Sequence, residues 1–146
     1  MVNEVTVSAG QIKADDVAIK TTEKKILINV GDTAISIEPT QNSVLIKDNG
    51  LEVKTAGVSI KENMMSVGEA EVKMAASDVA QKLNVSPSSV ELKAENQQAV
   101  YEMKTAENRK LFGFINLNVK KTITADAQNG NLLKEQLPWY SIFTTK

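Results

Sequence analysis

The chain has 146 residues, 42% of them hydrophobic and 24% charged, enough to bury roughly two-thirds of its unfolded surface on folding. It contains no cysteine and no histidine, which excludes disulfides, thiolate nucleophiles, sulfur metal ligands and the imidazole on which most zinc sites and near-neutral acid–base chemistry depend. With 17 basic and 18 acidic side chains scattered along it and a net charge of -1, it lacks the concentrated positive potential of a general nucleic-acid grip.

All six aromatic residues (Tyr101, Phe112, Phe114, Trp139, Tyr140 and Phe143) lie beyond residue 100, and the charge balance shifts from slightly acidic to slightly basic past residue 74. These breaks predict two domains, residues 1–74 and 75–146. The opening Met1-Val2-Asn3-Glu4 has neither the basic start nor the apolar stretch of a secretory leader, and no run approaches the length of a membrane helix. No membrane insertion by this chain is expected.

In the first half, β-branched pairs recur every nine residues: Val17 and Ile19, Ile26 and Ile28, Ile35 and Ile37, Val44 and Ile46, then Val53. The step of two inside each pair is a strand signature, and turn formers separate the pairs at Glu23-Lys24, Gly31-Asp32, Pro39-Thr40-Gln41-Asn42 and Asp48-Asn49-Gly50. Asn49-Gly50 suits a type I′ turn, so residues 44–47 and 51–54 should pair. The beat then shortens to Val58-Ser59-Ile60 and continues through Val67 and Val72. It fits either an antiparallel meander or a small stacked β-solenoid. Thr21, Thr22, Ser36, Thr55 and Ser59 recur at positions outside the core pairs, as expected of strand formers facing water.

Ser77-Asp78 places a capping side chain and an early acidic charge before Val79, Ala80 and Leu83, which predicts one short helix ending before Pro87, with helical spacing reaching back to Glu69. Three strands should follow: residues 90–94, then 99–103 after a reversal at Glu95-Asn96-Gln97-Gln98, then a long strand over 111–124 that bends at Gly113 or Asn118. Asp126 to Asn131 reads as a turn in which Asp126 accepts local N–H bonds and Gly130 supplies a positive φ, and Asp15-Asp16 reads as a loop. Lys24-Lys25 and Lys120-Lys121 read as solvated strand edges. The acids converge on no recognisable pair, and no catalytic residue, cofactor or metal site is expected.

The segment Val100-Tyr101-Glu102-Met103 and the ending Asp126-Ala127-Gln128-Asn129-Gly130-Asn131-Leu132-Leu133, in the order helix, short strand, strand, longer strand, resemble the PepSY domain family over residues 75–135. Asn129 stands where the family has Thr, and Asn131 where it has Glu. The resemblance implies a helix packed on an antiparallel sheet, an exported or cell-surface setting, no catalytic residues, and a peptidase among the partners. The fold expected for the whole chain is therefore α+β and mostly antiparallel: a β-rich first domain followed by a PepSY-like helix and sheet.

Finally, Leu137-Pro138-Trp139-Tyr140-Ser141-Ile142-Phe143 concentrates large apolar groups after a proline. Trp139 and Phe143 either fold back as a cap or, with Tyr140, form a partner-binding strip, since Trp and Tyr are enriched in binding hot spots. The sequence thus predicts a non-enzymatic module that binds protein or peptide, with a spacer or self-assembling unit of an envelope layer as the alternative. Oligomeric state is left open.

Overall fold

A computed structural model describes residues 4–15, 17–20, 24–62, 64–137 and 144–145. The strands are β1 (Glu4–Ser8), β2 (Gln11–Ala14), β3 (Val17–Lys20), β4 (Ile26–Val30), β5 (Thr33–Pro39), β6 (Val44–Asp48), β7 (Leu51–Thr55), β8 (Gly57–Lys61), β9 (Met64–Val67) and β10 (Ala70–Val72), then α1 (Ala76–Leu83), then β11 (Ser89–Glu95), β12 (Gln98–Leu111), β13 (Ile115–Asp126), β14 (Leu132–Gln136) and β15 (Thr144–Thr145). They form a six-stranded sheet in the order β10-β9-β8-β1-β2-β3 and a nine-stranded sheet in the order β14-β13-β12-β11-β7-β6-β5-β4, with β15 paired to β12.

The expected α+β architecture is corrected by this arrangement. Among the described residues one eight-residue helix accompanies fifteen strands, so the fold is mostly β. The helix is short for local reasons. Residues 70–72, which share its apolar spacing, are drawn into β10 against β9, and the N–H groups of Lys73 and Met74 both donate to the Ala127 carbonyl. At the other end Asn84 takes a left-handed φ of 56°; its N–H reaches the Gln81 carbonyl and that of Val85 reaches Ala80, a Schellman ending that stops the helix before Pro87 is reached. Three buried residues, Ala76, Val79 and Ala80, fasten it to the core, too little surface to make a layer.

The alternating pairs all fall in strands, and β4 through β7 follow one another as antiparallel neighbours. Asn49 and Gly50, at φ 49° and 83°, close the pairing of Asp48 with Leu51. Yet the first half is divided between both sheets. After β7 the chain turns a corner at Ala56 and β8 joins β1 in the other sheet. Gly57 permits that corner, because a Cβ there would lie 3.0 Å from the Val7 carbonyl oxygen. β11 then returns to pair in parallel with β7, Val90 opposite Val53. The compositional break near residue 74 divides neither the nine-stranded sheet nor the core, since one buried cluster runs from Val7, Ile37 and Met65 to Leu92, Met103 and Ala125.

The long strand expected over residues 111–124 is instead the end of one strand and most of the next. Leu111 pairs with Ile115 across the three residues Phe112-Gly113-Phe114, and Phe112 and Gly113 have φ 52° and 86°. Asn118 pairs in register with Asn108; the register shift lies farther on, between Thr124 and Ala125 against β14. β12 and β13 thereby form a hairpin whose base is buried and whose far end extends beyond β11 and β14.

Candidate functional site

Among the described residues, apart from the two-residue β15 beside β12, the two sheets end on four strands, and what each offers a partner depends on its residues. β10 has three residues and carries Glu71. β3 ends on Lys20. β14 carries Lys134 and Glu135 and meets β13 through a register irregularity. Charges, brevity and bulges all discourage further pairing. β4 has none of these: Ile26-Leu27-Ile28-Asn29-Val30 contains no charge and no proline, and it pairs with β5 in unbroken register.

The geometry of β4 follows from its turn. Val30 and Thr33 flank the two-residue loop Gly31-Asp32, with φ 61° at Gly31, so they form the hydrogen-bonded pair that closes the hairpin. Counting back, Ile28 and Ile26 bond to β5, while Leu27 and Asn29 turn their N–H and C=O groups to the open side. Among the described residues no strand takes them. The side chains alternate accordingly: Val30 is buried, Ile26 and Ile28 are half-buried against the core, and Leu27 is 71% exposed. Beside this edge the outer face of β4–β6 forms an open hollow of about 690 Å³ lined by Lys25, Leu27, Asn29, Ala34, Ser36 and Lys47. One cross-strand row, Leu27, Ser36, Lys47 and Glu52, runs over it from apolar through hydroxyl to charged, and the Lys47 Nζ lies 3.5 Å from Glu38 Oε1.

The polar groups singled out along the chain are otherwise engaged in structure. Ser77 does not cap α1, whose N-cap position is Ala75. The cap comes from the turn before β7: Asp48, 1% exposed, accepts the Ser77 N–H at 2.7 Å and the Ser77 hydroxyl at 2.6 Å. Asp78 accepts from the Thr33 hydroxyl at 2.5 Å. Nearby, the Tyr101 hydroxyl donates to the Met74 carbonyl at 2.8 Å, and burial, followed by the charges of Asp48 and Asp78, pushes its pKa far above the ordinary phenol value. Asp126 accepts the Gln128 N–H at 2.7 Å and a Gln98 side-chain amide at 2.6 Å, and Gly130 has φ 74°; this segment is the expected turn. Asp15 likewise occupies a turn, accepting the Glu4 N–H at 3.1 Å.

Lys24 and Lys25 are exposed ahead of β4. Lys120 is exposed, but Lys121 is only 13% exposed and lies 3.7 Å from Glu135, so it is not the solvated edge its neighbour is. On the outer face of β11–β12, Lys93 bridges Glu102 and Glu95, and its pKa is raised chiefly by the hydrogen bond to Glu102. Thr55, expected at a water-facing position, is buried, while Ser36 and Ser59 are half-buried. The proposed binding strip Trp139, Tyr140 and Phe143 lies outside the described residues, as do Thr21 and Thr22. Among the described residues no group of three or more Asp or Glu is placed to hold a metal ion, and no helix is long and apolar enough to cross a membrane.

Sequence reasoning treated Ile26 and Ile28 as a core pair and missed the open edge between them. The available signal was that Ile26–Val30 contains no charge, which among the other strands of the first half holds only for β9. No family model, curated protein or solved structure matches the chain.

Proposed function

We propose that the chain is a non-enzymatic binding module that takes an extended polypeptide as an added strand on β4. The uncharged, unbulged edge of β4 carries this reading. Main-chain groups at Leu27 and Asn29 supply the pairing, and the adjoining hollow receives side chains of the added strand. Lys25 and Lys47 favour acidic side chains there; Leu27 favours an apolar one. A chain without histidine or cysteine is suited to such work, which needs surface and no bond chemistry. The resemblance over residues 75–135 supports an exported or cell-surface setting and a peptidase as one source of the bound segment.

Leu27→Pro tests the proposal, since it deletes an outward donor without removing a bond to β5. Titration of labelled extended acidic–apolar peptides should give saturable binding to the native chain and at least about tenfold weaker binding to Leu27→Pro, whose circular dichroism and melting temperature remain close to native. Equal binding by the two proteins overturns the assignment. If light scattering instead shows concentration-dependent association of the native chain that Leu27→Pro abolishes, with no peptide bound, the edge serves a second copy and the chain is an assembly unit.

A further inference from the structure

At the opposite end of the nine-stranded sheet the β12–β13 hairpin continues past its neighbours. β11 last pairs with β12 at Ser89 and Lys104, and β14 last pairs with β13 at Gln136 and Thr122. From there to Gly113 the hairpin reaches roughly 25 Å at the ordinary rise of a strand, joined near its end by β15 against Lys110 and Leu111. Its tip is apolar and open to solvent: Phe112 is 64%, Phe114 76% and Ile115 45% exposed. Phe112 also holds a left-handed φ of 52°, a conformation that Asn or Gly adopts at lower cost than a bulky residue. A large aromatic therefore stands where turn chemistry favours a small polar one.

Charge is graded along the same arm. Residues 104–121 contain Lys104, Arg109, Lys110 and Lys120 against Glu107 alone, Lys121 being paired with Glu135, within a chain of net charge -1. Behind the tip come exposed Asn108, Asn116 and Asn118 with Lys110, and behind these Lys120 and Lys104. We propose that the arm docks on an anionic lipid surface, with Phe112, Phe114 and Ile115 entering the headgroup–acyl boundary and the lysines meeting lipid phosphates. Apolar tip, amide collar and cationic shaft follow the order of the chemical layers they would meet. The contact is superficial and crosses nothing. The hollow beside β4 of a second copy is a poor seat for the arm, because it is itself lined by Lys25 and Lys47. A single nucleic-acid strand is disfavoured too, since Ile115 offers no stacking face and the apolar groups sit on a point instead of along a groove.

Co-sedimentation of the full chain with vesicles tests this. Phosphatidylcholine vesicles containing phosphatidylglycerol should bind the native chain at least about tenfold more tightly than phosphatidylcholine alone, and high salt should remove most of the difference. Phe112→Ser with Phe114→Ser, and separately Lys110→Glu with Lys120→Glu, should each cut binding to the anionic vesicles about tenfold while circular dichroism and peptide binding at β4 are unchanged. Binding that ignores lipid charge, binding that survives both pairs of substitutions, or tighter binding to an oligothymidine than to anionic vesicles overturns the proposal. A failure confined to Leu27→Pro leaves it standing, because β4 and the arm occupy different parts of the sheet.

Discussion

The β6–β7 and β12–β13 hairpins make their turns with similar backbone means and opposite surroundings. Asn49 and Gly50 turn the first at positive φ, and Phe112 and Gly113 turn the second. The first turn is pulled inward: Asp48 enters the core and holds the start of α1. The second points away, with two aromatic side chains in solvent. Positive φ lets a chain reverse, but the fate of the turn is decided by what its flanking side chains find. Asp48 finds two donors at a helix start whose N–H groups lack intrahelical partners. Phe112 and Phe114 stay mostly exposed at the end of their hairpin.

The difference is sharpest at the base of each hairpin, where the largest effect is expected. Met103 is fully buried in β12, so Met103→Ala should cost about 2–5 kcal/mol, the range for a core truncation that leaves a cavity. Phe114→Ala in the same hairpin should stay within about 0.5 kcal/mol. Urea midpoints at constant slope check both, and comparable losses at the two positions would erase the distinction between base and arm.

Asp48→Ala comes next. It removes a capping acceptor and leaves the Ser77 N–H and hydroxyl without their partner, for an expected loss of about 2 kcal/mol. The helix should fray first, so hydrogen exchange at Val79 and Ala80 should accelerate more than exchange in β5. A uniform change would mean that Asp48 supports the sheet instead of the helix.

Tyr101 adds a pH signature to the inward side. Its folded pKa is raised, so the folded chain keeps a proton that the unfolded chain releases above about pH 10. This contribution to stability is complete below that value and declines as pH rises, by up to about 1.4 kcal/mol for each further unit. Tyr101→Phe should cost about 1 kcal/mol at neutral pH through the lost bond to Met74. Its stability should then fall less steeply than native between about pH 9 and pH 11. Parallel slopes would show that the Tyr101 hydroxyl ionises freely in the folded state.

What the sequence disclosed depends on how far each determinant reaches. The Asn49-Gly50 turn and the Asn96-Gln97 reversal, at φ 53° and 64°, rest on adjacent residues and were legible, as was the alternation in β4–β7. The parallel pairing of Val90 with Val53 joins residues far apart and leaves no local mark. Ser77 looked like a cap because its neighbours suit a helix start, yet a carboxylate 29 residues earlier performs that role. The β12–β13 turn was hidden because Phe-Gly-Phe continues an apolar strand pattern, so Gly113 read as a bend within one strand. Among the described residues nothing pairs with the outer side of β4, a property that no inspection of Ile26–Val30 alone discloses.

A modest gain in stability discriminates best between the two turns. Phe112→Asn installs at the arm the kind of residue that β6–β7 already uses at Asn49, relieving a bulky side chain of a left-handed φ, a gain of up to about 1 kcal/mol. In a chain of this length that corresponds to a rise of about 2–4 °C in melting temperature. The same substitution removes one of the exposed aromatic groups at the tip, so binding to anionic vesicles should fall as thermal stability rises. Opposite movements of the two readouts would mark Phe112 as a residue held for surface contact at the expense of the fold. If stability falls with Asn in place, Phe112 makes contacts within its own chain that outweigh its backbone strain, and the arm ends in a structural turn like the other hairpin.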